Sequence, residues 1–218
     1  MLERIGIVLA IAVLGACGGS AVTPVVPGVR GGDIAWDANR RLSWSDFRGR
    51  VDPRATAERV AMTAASLSWG YEFQLERDEV SCGYRITRVR TEAIFNQDES
   101  WVRPGHQIAS VLDHEQGHFD LTQVYKTVLD GRASHLIGRA RGCEGGSLEA
   151  ASRFTERDAA ALMSGLFNEV WEEYLATQAA YDRHTRNGTA AETQQRWTES
   201  IARSLRSGRW LPPADAAG

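Results

Sequence analysis

The chain has 218 residues, 43% of them hydrophobic and 24% charged, with a formal net charge of -3. That length supports one globular domain with a sizeable core, and the composition excludes wholesale disorder. The small net charge and the lack of a long basic run exclude nucleic acid as the expected partner.

Arg4 precedes an apolar run, Ile5 to Leu14, that ends in Leu14-Gly15-Ala16-Cys17. The run is too short for a transmembrane helix and reads as a secretory signal. Its ending resembles a bacterial lipobox, in which the cysteine becomes the lipidated first residue of the mature chain. Residues 1–17 are therefore expected to be a lipoprotein signal peptide with Cys17 lipidated. Gly18 has no retention character, so the expected location is the outer membrane, facing the periplasm, in a host with two membranes. The Gly/Pro-rich stretch 18–32 reads as a flexible tether. Residues 33–210 read as a single domain and 211–218 as a loose tail. With Cys17 lipidated, Cys82 and Cys143 remain, and export makes a disulfide between them the natural reading.

The first part of the domain reads as strands. Leu67, Trp69, Tyr71, Phe73 and Leu75 alternate with a period of two. Tyr84, Ile86 and the stretch Val89 to Phe95 give a second strand, so the two form an antiparallel hairpin with one buried face. The rest reads as helix. One helix runs from Gly105 to about Gly131. A long one runs from about Leu148 to Arg186, with Met163, Leu166, Phe167, Val170, Trp171, Tyr174 and Leu175 as its apolar stripe. Gly188 is its expected stop. A last helix spans about Ala190 to Ser207. The fold class is thus α+β: a small antiparallel sheet, then a helix carrying the motif described next, then a helical C-terminal part.

His114-Glu115-Gln116-Gly117-His118 is an HExxH motif. On a helix, residues four apart share a face, so both imidazoles can bind one zinc ion. Glu115 is rotated by about 100° and can serve as general base toward a zinc-activated water without displacing a ligand. The third ligand must come from downstream. Asp182, His184, Glu169, Glu172 and Glu173 are the candidates, and Asp182 is favoured. Asp120 lies two residues past His118 and faces away from the metal, so it is expected to support the site or anchor another element. Tyr181 and His184 are candidates for stabilising an oxyanion. His106 and His135 stand alone and read as structural.

Further motifs accompany this one: Trp44-x-x-Phe47-x-Gly49, Ser100-Trp101, the longer run His114 to Asp120, and Tyr181-Asp182-x-x-Thr185-x-x-Gly188 with Gln195 and Trp197 after it. Together they resemble a bacterial domain-of-unknown-function family, number 922, described as predicted secreted zinc-dependent proteases. The resemblance covers about Asp33 to Leu205. It implies a zincin-like fold with zinc on His114 and His118 and with Glu115 as acid/base. The late motif of that family often has histidine where this chain has Asn187. If that histidine is the family's third ligand, this chain has lost it unless His184 substitutes; if Asp182 is the ligand, the departure costs nothing.

The leading expectation is a lipid-anchored zinc metallopeptidase that hydrolyses peptides or proteins in the envelope. The alternative is a catalytically inactive module, zinc-bound or metal-free, that serves interactions on the envelope. A third reading is hydrolysis of non-peptide envelope material such as a peptidoglycan stem.

Overall fold

A computed structural model describes residues 32–77 and 81–214. It also describes the backbone of two earlier strands, Leu9–Ala12 (β1) and Ser20–Val25 (β2). Cys17 and residues 215–218 lie outside the described residues. β2, inside the stretch expected to be a tether, pairs antiparallel with the strand Ala65–Arg77.

The fold is α+β, an antiparallel sheet followed by three helices. The short strand Asp33–Ala35 (β3) and a 3-10 turn at Trp44–Asp46 lead to Ala61–Met62 (β4). The long strands Ala65–Arg77 (β5) and Cys82–Asn96 (β6) follow, then Trp101–Val102 (β7). The helices are Ala109–Ser134 (α1), Leu148–Thr185 (α2) and Ala191–Ser207 (α3), with a two-residue strand, Arg141–Gly142 (β8), before α2. The main sheet has the order β1-β2-β5-β6-β3, and β8 pairs with β6. β4 pairs with β7 in a separate small sheet.

These residues form two compact units from interleaved segments. The first holds Ser68–Thr91 and Leu129–Glu169. Here the period-two pattern of β5 is realised: Trp69, Tyr71, Phe73 and Leu75 are all buried. Trp69 packs its ring 5.7 Å from Phe167 of α2, and Phe73 meets Tyr84 edge-on at 6.3 Å. Tyr84 donates its hydroxyl hydrogen to Asp158, which also accepts from Arg141.

Cys82 and Cys143 form a disulfide with their Cα atoms 5.2 Å apart. Backbone pairing brings them together, because β8 lies against Gly83 and Tyr84 and the Cys143 N–H donates to the Cys82 carbonyl. The cross-link suggests an extracytoplasmic location. No helix among the described residues is long and apolar enough to cross a membrane. The bridge spans 61 residues. Closing a loop of that length restricts the unfolded chain by about 4 kcal/mol. Replacing both cysteines by serine is therefore expected to lower the unfolding free energy by about 2–4 kcal/mol in urea titration. A loss below about 1 kcal/mol would show that the β8 pairing holds without the staple.

The second unit holds Val29–Leu67, Glu92–Val128 and Val170–Gly218. β3 pairs antiparallel with the end of β6, placing Ile34 opposite Phe95. Those two, with Leu42, Phe47 and Phe119, make one buried cluster. A second cluster joins α1, the end of α2 and α3 through Leu121, Val124, Tyr181, Trp197 and Ile201. α1 thus buries side chains on two faces, Phe119 toward the first cluster and Leu121 and Val124 toward the second. That enclosure is what buries the motif residues just before them. α3 ends at Gly208, whose φ of 69° suits glycine, and its N–H caps the Ser204 carbonyl. Leu211, the first residue of the expected tail, is tied back to α3 by its N–H to Ser204 Oγ at 2.9 Å.

Candidate metal centre

The HExxH residues sit in the N-terminal half of α1, where His114 is 3% exposed and Glu115 4%. α2 ends beside them and supplies Asp182. Asp182 Oδ1 lies 3.2 Å from His114 Nε2 and 2.9 Å from His118 Nε2. The two Nε2 atoms are 3.2 Å apart. His114, His118 and Asp182 form a group that can hold a metal ion.

The hydrogen-bond network fixes the histidine tautomers. Gln178 Nε2 donates to the His118 backbone carbonyl (2.9 Å), which turns Gln178 Oε1 to His118 Nδ1 at 2.6 Å. The Tyr181 hydroxyl donates to the His114 carbonyl, so it can only accept from Gln194 Nε2, at 2.6 Å. Gln194 Oε1 is then left to accept from His114 Nδ1 at 3.1 Å. Both Nδ1 atoms therefore carry the proton, and both Nε2 atoms are acceptors facing a carboxylate oxygen. Three acceptors this close repel one another unless a cation lies among them. Their spacing suits one, since tetrahedral ligands about 2.0–2.1 Å from zinc lie ~3.3 Å from each other.

A proton can partly fill that place. Burial pulls the His118 pKa down, but the bond to Asp182 and the charges of Glu115 and Asp182 outweigh it and leave the pKa raised. Burial likewise works against the Asp182 carboxylate, yet its bonds to His114 and His118 and their charges hold its pKa well below the usual range. Burial, with the charges of Glu115, Asp120 and Asp182, drives the Tyr181 phenol far up against the bond from Gln194. The phenol thus keeps the hydrogen that it donates to His114.

Each residue of the late motif has a physical task. Tyr181 stacks on the His114 ring, with centroids 4.6 Å apart. The Thr185 hydroxyl donates to the Tyr181 carbonyl and accepts the Gly188 N–H. Arg186, Asn187 and Gly188 all have positive φ, and the chain turns sharply back. A Cβ on Gly188 would stand 2.8 Å from the His114 Cβ. Gly117, inside the HExxH motif, is needed for a similar reason, because a Cβ there would lie 2.2 Å from the Tyr181 hydroxyl oxygen. Gly117→Ala would gain about 1 kcal/mol of helix propensity. It is still expected to destabilise by a net ~1–2 kcal/mol, because displacing a fully buried Tyr181 costs more. A variant as stable as the parent in thermal unfolding would refute this close approach.

The other expected site residues are placed as follows. Glu115 lines a cleft of about 320 Å³, and its Oε2 is buried with no hydrogen-bond partner among the described residues. Asp120 does not touch the histidines. It accepts from the Trp36 indole and from Gln116 Nε2, each at 2.8 Å, and Gln116 in turn accepts the Leu42 N–H at 2.7 Å. Asp120 thus anchors the segment after β3 to α1. Tyr181 is fully buried, with its hydroxyl committed to His114 and Gln194. His184 packs 5.7 Å from Trp197. Neither Tyr181 nor His184 lines the cleft. His106 and His135 are exposed and away from the site.

Gln178 and Gln194, which orient the two histidines, were not singled out from the sequence. A signal for Gln178 existed, because it lies on the same face of α2 as Tyr174 and Asp182, four residues from each. Gln194 sits on a different helix, and nothing local marks it.

The earlier motifs build the cleft wall. A Cβ on Gly49 would meet the Asp98 and Ser100 carbonyls at 2.8 Å, so only glycine lets that loop close on the turn before β7. Ser100 Oγ accepts the Ala64 N–H at 2.9 Å, and Trp101 pairs with Met62. Residues 59–65 are thereby held as one wall of the cleft, opposite Tyr174, Gln178 and Asp182 of α2.

Fold and site together define an α+β protein with a largely buried two-histidine, one-carboxylate candidate metal centre beside Glu115, whose Oε2 has no hydrogen-bond partner among the described residues. Comparison with known protein families, with curated proteins and with solved structures finds no match.

Proposed function

We propose that this protein is a zinc-dependent metallopeptidase of the cell envelope, related to the predicted secreted zinc-dependent proteases that its motifs resemble. One observation carries the reading. Two histidine acceptors and an aspartate converge at ligand spacing next to Glu115, a residue of the cleft wall whose Oε2 is buried without a hydrogen-bond partner among the described residues. Two histidines with one carboxylate also suit ferrous iron. The carboxylate adjacent to a ligand favours hydrolysis, because hydrolysis needs a base at that point.

His114, His118 and Asp182 would hold the zinc. When bound, it would polarise a peptide carbonyl and bring the pKa of water to about 7. Glu115 takes the proton of the attacking water at Oε2 and returns it to the leaving amine. Gln178 and Gln194 keep both imidazoles turned with Nε2 inward. Tyr181 acts as a positioning residue under His114, and His184 serves packing. Residues 59–65 give an extended wall along which a peptide backbone can lie. Lipidation at Cys17 would keep this activity at the membrane, in the envelope where peptide or protein substrates occur.

The test is metal analysis of the purified protein, followed by hydrolysis of a peptide mixture with and without a chelator. About one zinc per chain and cleavage that is lost on chelation and restored by zinc are expected. Iron as the only metal retained would place the chemistry in another class. Zinc without cleavage of any peptide would point to a non-catalytic envelope module.

A further inference from the structure

The cleft is not uniform along its length, and that gradient bears on the substrate. This inference rests on the metallopeptidase reading and adds a substrate class to it. Trp171, Tyr174, Gln178 and Asp182 are spaced three or four residues apart on α2, so they follow one face for about 16 Å. The opposite wall runs the other way. Arg59 pairs with Asp182 Oδ2 at 3.6 Å, while the Ala65 carbonyl accepts from Tyr174 at 3.4 Å. One end of the cleft is therefore apolar, built by Trp171 and Leu175, and Leu175 is 48% exposed. The other end holds Arg59.

Arg59 is well placed to meet a ligand. Its side chain is half exposed, and its ion pair with Asp182 is long and one-sided. Its backbone is fixed, because Arg103 donates to the Arg59 carbonyl through Nε and to the Val60 carbonyl through its N–H. Arg59 is the only arginine or lysine among the described residues of the cleft wall. The charges also balance in favour of an anion. The carboxylates of Glu115 and Asp182 offset a divalent ion, so Arg59 leaves the occupied site with a net positive charge. An arginine presents several N–H donors in a plane, and only part of that set faces Asp182.

We infer that the cleft takes an extended peptide with a large apolar side chain against Trp171 and Leu175 and a carboxylate against Arg59. At ~3.3 Å per residue, 16 Å spans about five residues of such a peptide.

The experiment measures equilibrium binding to the zinc-loaded full chain carrying Glu115→Gln, so that no turnover is needed. The probes are a five-residue peptide with a leucine or phenylalanine near its N-terminus and a free C-terminal carboxylate, the same peptide amidated, and one with serine in place of the apolar residue. Amidation is expected to weaken binding about ten-fold, and Arg59→Gln should remove that difference while leaving the amide's affinity unchanged. Serine should weaken binding in the Arg59 parent, and Trp171→Ala should abolish the preference for the apolar residue. Equal binding of acid and amide, a carboxylate preference that survives Arg59→Gln, or no binding of any of the three peptides overturns the inference. None of these results depends on whether the parent protein cleaves peptides, so failure here is distinct from failure of the metallopeptidase reading.

Discussion

Glu115→Gln is expected to lower kcat for peptide hydrolysis by about 10³-fold while the protein keeps its fold and its metal. General base catalysis by a placed carboxylate contributes roughly 10²–10⁴. Glutamine has the same shape and cannot take a proton. Glu115 is not one of the three converging ligands, so metal content should stay near the parent value. The substitution removes a buried charge rather than a packed side chain, so stability should change little. A second readout is available in the metal-free protein. Glu115 is one of the charges that raise the His118 pKa, so the variant's His118 should titrate lower by NMR. A variant that retains more than about one-tenth of parental kcat would eliminate Glu115 as the base.

Metal affinity should fall most in His114→Ala and Asp182→Asn, and less in Gln178→Ala. Each of the first two deletes one of three ligands. Gln178 acts through His118, and losing an orienting partner of that kind costs about 10–100-fold in affinity. Competition titration with a zinc chelator would rank the three variants, and a loss in Asp182→Asn no larger than in Gln178→Ala would mean that Asp182 is not a ligand. Acidification should act in the same direction, since zinc must displace the proton from His118. Because that pKa is raised, affinity should begin to fall at a higher pH than an ordinary histidine would give. Two opposing contributions to stability apply in the metal-free chain. The raised His118 contributes stability below about pH 6.5 that is lost as pH rises through its folded pKa. The depressed Asp182 contributes stability above about pH 4 that is lost as pH falls through its own. The metal-free protein should therefore weaken in acid and also above neutrality, while the zinc-loaded protein should weaken mainly in acid.

Local pattern determined much of this protein. The alternation from Leu67 to Leu75, the stripe on the long helix and the stop at Gly188 placed β5, α2 and the end of α2 within a few residues. HExxH marked two candidate ligands and a candidate base, because four-residue spacing fixes a shared helix face whatever the rest of the chain does. Two cysteines left over in a chain whose start reads as an export signal pointed to their pairing. Tertiary structure alone decided the rest. Asp182 joined His114 and His118, out of five candidates, because the end of α2 meets the N-terminal half of α1, a contact made across 63 intervening residues or more that no local period encodes. The same meeting took Tyr181 under His114 and left its hydroxyl no hydrogen to offer a substrate. Gln194 reached His114 from a third helix, and Arg59 arrived from a loop with no motif at all. Asp120, adjacent to the motif in sequence, turned instead toward Trp36. Spacing along a helix fixes which side chains share a face. Which distant group arrives at that face depends on how the clusters around Phe119 and Trp197 pack.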